Sequence, residues 1–332
     1  MEPLSLASSS DVQNRAPSIH VSLSRVGVTG VEKVIRIGAP GSEQAFHAKL
    51  ECFVDLGPRQ KGAHMSRFEE VVNEAIGTAV FGEAAFKAEQ LAQRIAEDVR
   101  DRQDALRAEV TIAARYPEVK PAPVSGIPTQ EIYTLYGTAV ATARGTRRLV
   151  GVAAQGLTAC PCAQELVAAS ARERLTADGF DAGQIERILE AVPVATHNQR
   201  GLGTLQIGCP EDCDSEVEAA ELLSIVEGSM SSEIYELMKR SDEGAVVEKA
   251  HRRPRFVEDC VREMVRGVVE RFGGLGDDTF ISARQENLET IHQHNVVAER
   301  FGMLGELRRE LVSGEHLPHH TSMREWLDAA RL

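Results

Sequence analysis

The sequence predicts an α+β protein built from two tandem modules, and three observations carry that prediction. Apolar residues recur with period two in some stretches and with helical spacing in others. The order strands, helix pair, strands occurs twice along the chain, which is the pattern of segregated α+β layers. At 332 residues the chain can bury one large core or two smaller ones. The repetition lies in element order, without residue-level identity.

Residues 1–18 are polar and Ser-rich and read as a loose tail. The first module is expected over 19–145 and the second over 146–332. Ile19, Val21 and Leu23 alternate with polar neighbours, predicting a strand that ends near Gly27. Leu50, Cys52 and Val54 around Phe53 predict a second, ending near Gly57-Pro58. Helical spacing follows: Val72, Ile76, Ala79 and Val80 line one face, then Ala88, Leu91, Ile95 and Val99 line the next. A strand around Val110 and Ile112 leads into a proline-bearing stretch, 119–128, read as the crossover between modules.

In the second half, apolar residues over 149–157 predict a strand that reaches a turn at Cys160. Residues 164–191 read as helical, and 203–208 as a strand. Leu222, Ile225 and Val226 mark a helix. Val257, Val261, Met264, Val265, Val268 and Phe272 mark the most regular helix in the chain. A strand near 280–283 approaches Ile291-His292-Gln293-His294, where alternation would turn both imidazoles to one face of a strand.

Composition narrows the class. Hydrophobic content of 42% and charged content of 26% are ordinary for a globular protein. A net charge of −13 argues against nucleic-acid binding, which draws on clustered Lys and Arg. It leaves room for a small anionic substrate, because a local basic loop can reverse the field inside a cleft. No run approaches the ~18 apolar residues of a membrane span, and the N-terminus lacks a basic-then-apolar export pattern. Six cysteines are too few for a disulfide scaffold at this length. A cytoplasmic protein with reduced thiols or metal ligands is expected.

Two segments carry the chemistry: Thr158-Ala159-Cys160-Pro161-Cys162-Ala163-Gln164 and Thr196-His197-Asn198-Gln199-Arg200-Gly201. A sulfur ligand and an imidazole, each on a polar turn, suit a first-row metal with an open position. Taken singly, a free cysteine is more often an inert buried hydrophobe, and the spacing from Cys160 to His197 matches no zinc finger. A rival reading groups Cys160, Cys162, Cys209 and Cys213 as a closed structural zinc site, making the chain a non-catalytic metal- or nucleotide-binding protein. A third makes Cys160-Pro161-Cys162 a thiol redox pair.

The loop from Arg59 to Arg67 places Lys61, His64, Ser66 and Arg67 around Gly62 at a strand end, a composition that can grip a polyphosphate. Glu233 and Glu248 flank a charged stretch. Either can complete a Cys/His metal site or accept two parallel N–H bonds from an amidine-like edge such as guanine. On composition alone both are surface glutamates. His292 and His294 are candidates for general acid or base.

Together these segments resemble GTP cyclohydrolase of type IB, in particular the branch that includes the archaeal enzyme of the methanopterin pathway. The matching stretches include Val21-Ser22-Leu23-Ser24-Arg25-Val26-Gly27, Gln60-Lys61-Gly62-Ala63-His64-Met65-Ser66-Arg67, residues 158–164 and 195–203. Further matches are Glu233-Ile234-Tyr235-Glu236-Leu237-Met238-Lys239-Arg240-Ser241-Asp242-Glu243, Phe256-Val257-Glu258-Asp259-Cys260, and Thr290-Ile291-His292-Gln293-His294. In order, they run from about residue 18 to 310.

The resemblance implies tandem tunnelling-fold (T-fold) modules, antiparallel sheets with helices on one face that assemble into barrels with active sites at subunit interfaces. It implies Cys160, His197 and Glu233 as ligands of one divalent metal, Fe(II) foremost, with Zn(II) or Mn(II) as alternatives. Cys162 would be structural and Glu248 the guanine anchor. Lys61, His64, Ser66, Arg67 and Arg200 would hold the triphosphate or assist proton transfer, with His292 or His294 as acid/base partner. GTP and a second copy of the chain, as homodimer or homotetramer, are the implied partners; nucleic acid and membrane are not. The implied reaction opens the guanine imidazole ring at C8, releases formate and recyclises to a dihydroneopterin triphosphate or 2′,3′-cyclic phosphate. The helical insertion within 164–193 is absent from shorter family members and present in similar form in the archaeal-like branch.

Overall fold

Alternating burial explains the first strands. In the computed structural model, which describes residues 12–37, 44–81, 87–210 and 217–329, Phe46, Ala48, Leu50, Cys52 and Val54 all turn inward. They form the core face of β2 (Gln44–Leu56), which pairs antiparallel with β1 (Leu23–Ile37). Gly27 on β1 answers a steric need: a Cβ there would lie 1.9 Å from the Cys52 carbonyl oxygen, so no side chain fits.

Helices α1 (Met65–Phe81) and α2 (Ala88–Gln103) follow, then β3 (Arg107–Pro121) and β4 (Pro128–Thr142). The predicted stripe of α2 is the buried one, with Leu91, Ile95 and Val99 against the helix-facing side chains of β2 and β3. Each such residue contributes about 1.5–3 kcal/mol by leaving water.

The second half repeats the order with additions. It comprises β5 (Gly145–Ala159), α3 (Pro161–Ala177), α4 (Ala182–Ala191), β6 (Asn198–Cys209) and α5 (Ala219–Ser229). Then come the short β7 (Ser232–Glu233), α6 (Arg240–Arg252), α7 (Val257–Arg271), β8 (Phe280–Leu288) and β9 (Val296–Met303). Two helices close the described chain, α8 (Leu304–Ser313) and α9 (Met323–Asp328). Setting aside α3–α4, the short β7, α6 and the closing α8 and α9 leaves strand, strand, helix, helix, strand, strand in both halves.

The strands form one antiparallel sheet in the order β1-β2-β3-β4-β5-β6-β8-β9, with β7 pairing β5 beside it. Helices α1 and α2 cover its first half around one core, and α5 and α7 cover the second around another. On the opposite face α9 covers one end, where Trp326 stacks on Phe280.

The stretch 119–128 is a correction. The prolines mark no crossover: β3 and β4 form a hairpin paired from Arg107↔Thr142 to Pro121↔Pro128. Beyond Ala114 the hairpin outruns β2, and before Thr134 it outruns β5, so its outer part is a two-stranded arm. On such an arm Pro117 and Pro121 remove no ladder bond to an outer neighbour.

The α3–α4 pair projects from the sheet, with no buried residue in α3 and Ile185 alone buried in α4. Its root is fixed where Gln164 Nε2 donates to the carbonyls of Val194 at 2.8 Å and His251 at 2.6 Å. Among the described residues no helix is long and apolar enough to cross a membrane.

Candidate active site

The site forms where β5 ends and β6 begins. Cys160 caps α3 with Pro161 in the first helical position, where the helix makes no use of the N–H that proline lacks. The Cys160 N–H donates to the His197 carbonyl at 3.1 Å, and the Thr196 hydroxyl donates to the Cys160 carbonyl at 2.8 Å. The two predicted metal-ligating turns are thus tied directly together.

Cys160 and His197 line one cleft with Gln199, Arg255, Asn287, Glu289, His292 and His294; its volume is about 240 Å³. That lies below the ~300–1,000 Å³ usual for small-molecule pockets. Arg255 reaches it through its backbone N–H on the Ala159 carbonyl, while its guanidinium donates to the Gly228 and Ser229 carbonyls that end α5. Glu289 places Oε2 3.9 Å from His197 Nδ1, with its side chain 6% exposed and that oxygen without a hydrogen-bond partner among the described residues. Arg255, Gln199 and Glu289 escaped the sequence reading. Glu289 carried one signal, an acidic residue just ahead of the His292/His294 segment.

His292 and His294 need a correction. They lie not on a strand but in the bend between β8 and β9, and their rings meet by stacking, with centroids 5.2 Å apart. The Thr290 hydroxyl pins this bend to the Asn198 carbonyl at 3.1 Å, which brings the imidazoles to the cleft.

Glu233 stands on the other side of β5, opposite Gly156, and is not among the cleft-lining residues. Lys249 donates to its Oε2 at 2.5 Å. Burial raises the Glu233 carboxyl pKa, and the hydrogen bond and charge of Lys249 more than offset this, leaving it below its ordinary value. Glu248, exposed on α6, accepts from Arg252 at 2.9 Å. Arg200 is exposed, on the face of β6 opposite Gln199. Among the described residues no three His, Cys, Asp or Glu side chains form a group that could hold a metal ion.

The basic loop lies elsewhere. Lys61 donates its N–H to the Gln13 and Arg15 carbonyls, and Gln103 brackets the backbone of His64. Arg67 donates to the Arg102 carbonyl at 2.8 Å, and Ser66 sits in the first turn of α1. The register Val54↔Ala108, Ala108↔Ala141, Ala141↔Thr146 puts this loop at the end of the sheet where β5 starts. Cys160 follows the other end of that strand, whose 15 residues span about 45 Å.

The same register removes the four-cysteine cluster within one chain. Cys209 pairs with Arg148 and Asn198 with Ala159, so Cys209 and Cys160 stand about 36 Å apart along β6. Cys213 lies outside the described residues. Cys160 and Cys162 are free thiols, and Cys162 is exposed.

Comparison with known proteins shows the family. A family model described as type I GTP cyclohydrolase folE2 matches residues 10–298. The chain is 43% identical over 308 residues to GTP cyclohydrolase MptA of Methanococcus aeolicus, covering 91% of this chain and 99% of that protein. It is 40% identical over 311 residues to the GTP cyclohydrolase MptA of Methanocaldococcus jannaschii, covering 92% and 98%. Among solved structures, uricase from Arthrobacter globiformis aligns with a TM-score of 0.49 at 8% identity, covering 89% of this chain and 96% of that one. A match over most of its length to the family model, and relatives at this identity across nine-tenths of it, show that the chain belongs to the type I GTP cyclohydrolase family.

Proposed function

We propose that this chain is a metal-dependent GTP cyclohydrolase that opens the guanine imidazole ring of GTP at C8, releases formate and recyclises the product to a 7,8-dihydroneopterin phosphate. Family membership supports the reaction class. The observation that carries the site is the convergence of Cys160, His197, Glu289, His292 and His294 on one cleft.

The donor chemistry fits one divalent ion such as Fe(II), Zn(II) or Mn(II). Cys160 and His197 would be two of its ligands. The Glu233 carboxylate, which Lys249 holds on the other side of β5 in the single chain, would have to leave that partner to be the third. An ion of this class would supply a water-derived nucleophile for C8 at neutral pH. His292 or His294 moves the protons that ring opening demands. Glu248 accepts the paired N–H groups of the guanine edge in place of Arg252.

The cleft is small for a nucleoside triphosphate, and Lys61, His64, Ser66 and Arg67 lie at the far end of the sheet. These residues therefore come from a second copy of the chain, with Arg200 of the first, and the site is completed in a homodimer or homotetramer. Two sheet edges, β1 and β9, pair with no further strand among the described residues and are available for that assembly.

The test is anaerobic incubation of metal-free protein with GTP and one added metal at a time, following formate and, after oxidation, pterin fluorescence. Metal-dependent formate with a pterin product is expected. His197→Ala and Cys160→Ala should each remove metal and activity together. The phosphate content of the product, triphosphate or 2′,3′-cyclic, names the folate or methanopterin branch. Folded protein that binds metal and yields no formate overturns the reading.

A further inference from the structure

Behind His197 lies a buried cross-strand pair of polar side chains. Thr158 on β5 and Gln199 on β6 are direct register partners, and the structure leaves them 0% and 4% exposed. His197 immediately precedes β6, and its Nδ1 lies 3.0 Å from the Gln199 side-chain oxygen. Two buried polar side chains at a strand end cost stability unless their hydrogen bonds are all made.

The proton directions follow from one group that can only accept. The Thr158 hydroxyl lies 3.4 Å from the Gln199 backbone carbonyl and donates to it. Its oxygen is then the acceptor for the Gln199 side-chain N–H, at 3.1 Å. With its NH₂ facing Thr158, the Gln199 amide turns Oε1 toward His197 Nδ1, at 3.0 Å. An amide oxygen accepts, so Nδ1 carries the proton and Nε2 keeps its lone pair bare.

We propose that Gln199, held by Thr158, is a positioning residue that locks His197 in the Nδ1-protonated tautomer and so presents Nε2 as a ready electron-pair donor at the cleft. The inference rests on the reading of His197 as a metal ligand for its purpose, and on hydrogen-bond geometry alone for the tautomer. A neutral histidine in water favours the proton on Nε2, the nitrogen that must be free here. Without the relay, the ring would have to change tautomer before it could bind an ion. Orienting groups of this kind are worth about 10- to 100-fold in metal affinity.

The experiment separates the two parts. Full-length, metal-free protein with ¹⁵N-labelled histidine is studied by two-bond ¹⁵N–¹H correlation in alkaline buffer, with the His197 signal identified by its loss in His197→Ala. Wild type should show protonated Nδ1 and bare Nε2. Gln199→Met, close in shape but without the amide, and Thr158→Val, which frees the amide to turn over, should both move the proton to Nε2. Gln199→Glu and Thr158→Ser, which preserve the acceptor and its anchor, should retain the wild-type signature. In parallel, Zn(II) affinity is read by chelator competition, with a fall of about 10- to 100-fold expected for Gln199→Met and Thr158→Val. An Nε2-protonated ring in wild type overturns the proposal. So does a tautomer change in the variants with unchanged Zn(II) affinity. Wild type with the expected tautomer but no Zn(II) binding overturns the metal reading and leaves the tautomer assignment intact.

Discussion

The carboxylate of Asp242, at the start of α6, accepts the hydroxyl proton of Ser125, at the tip of the β3–β4 arm, at 2.7 Å. The partners are 117 residues apart in the chain. Asp242 also accepts the N–H groups of Val124 and Ser125, both at 2.8 Å, and of Lys239 at 2.8 Å. Further back, Lys120 pairs with Glu227 at 2.6 Å, and the Tyr133 hydroxyl donates to the same oxygen at 2.9 Å. The arm of the first half thus clasps the segment that carries Glu233, Glu248 and Lys249.

That clasp makes stability depend on acid in a defined direction. Burial raises the Asp242 pKa, and the four hydrogen bonds outweigh it and hold the carboxyl well below the usual carboxylate range. A depressed folded pKa stabilises fully above the unfolded value, near 4, and the contribution is lost as pH falls toward the folded value. Denaturation midpoints of wild type and Asp242→Asn should differ most above about pH 4 and converge below it. A gap independent of pH would refute the assignment. Ser125→Ala, which removes one of the four bonds, should cost about 1 kcal/mol.

Two glycines should respond to alanine with opposite signs. At Gly137 on β4 a Cβ would lie 2.3 Å from the Ala88 carbonyl carbon and oxygen, backbone atoms at the start of α2 that cannot swing aside. Gly137→Ala should destabilise by at least about 1–3 kcal/mol, because the helix must lift off the sheet. Gly244, inside α6, has nothing within 4 Å of that position. Gly244→Ala should stabilise by about 0.5–1 kcal/mol through reduced freedom of the unfolded chain. Chemical denaturation reads both, and equal signs would contradict the packing described.

The thiols divide by environment. Burial pushes Cys52 and Cys260 up to about 12, helped at Cys52 by Glu69 and Glu51. At about pH 8 roughly one such thiol in ten thousand is ionised, so neither should react with iodoacetamide in the native protein. Cys162, exposed in the first turn of α3, should be alkylated readily. Peptide mapping after brief labelling checks this, and native labelling of Cys52 at the rate of Cys162 would refute it.

How much of this was legible in the sequence depended on whether a residue's environment is set locally. The α7 stripe of Val257, Val261, Met264, Val265 and Val268 is buried as its spacing predicts, because one helix face decides it. Strand β4 was hidden, because prolines that ordinarily break strands lie on an arm whose outer edges need no ladder bonds. Cys160 and His197 were recognisable as chemistry, and their turns do meet. The roles of Arg255, Glu289 and Gln199 depend on contacts between strands and loops far apart in the chain, which no spacing rule encodes. The separation of the basic loop from Cys160 followed only from the register.

That separation yields the most direct test of assembly. If Lys61, His64, Ser66 and Arg67 serve the cleft of a second copy, a variant damaged in the loop and one damaged in the cleft fail for different reasons in the same composite site. Arg67→Ala and Cys160→Ala should each be strongly impaired in GTP turnover when assayed alone. Mixed in equal amounts, dissociated and reassembled at random, they form some sites with both parts intact. A site then draws an intact loop half the time and an intact cleft half the time, so roughly a quarter of the wild-type activity should return. Recovery near that level, absent when the two preparations are mixed without dissociation, places loop and cleft on different chains. No recovery from mixed oligomers that demonstrably contain both variants would mean that each chain serves its own cleft, which the opposite ends of β5 forbid without a large rearrangement.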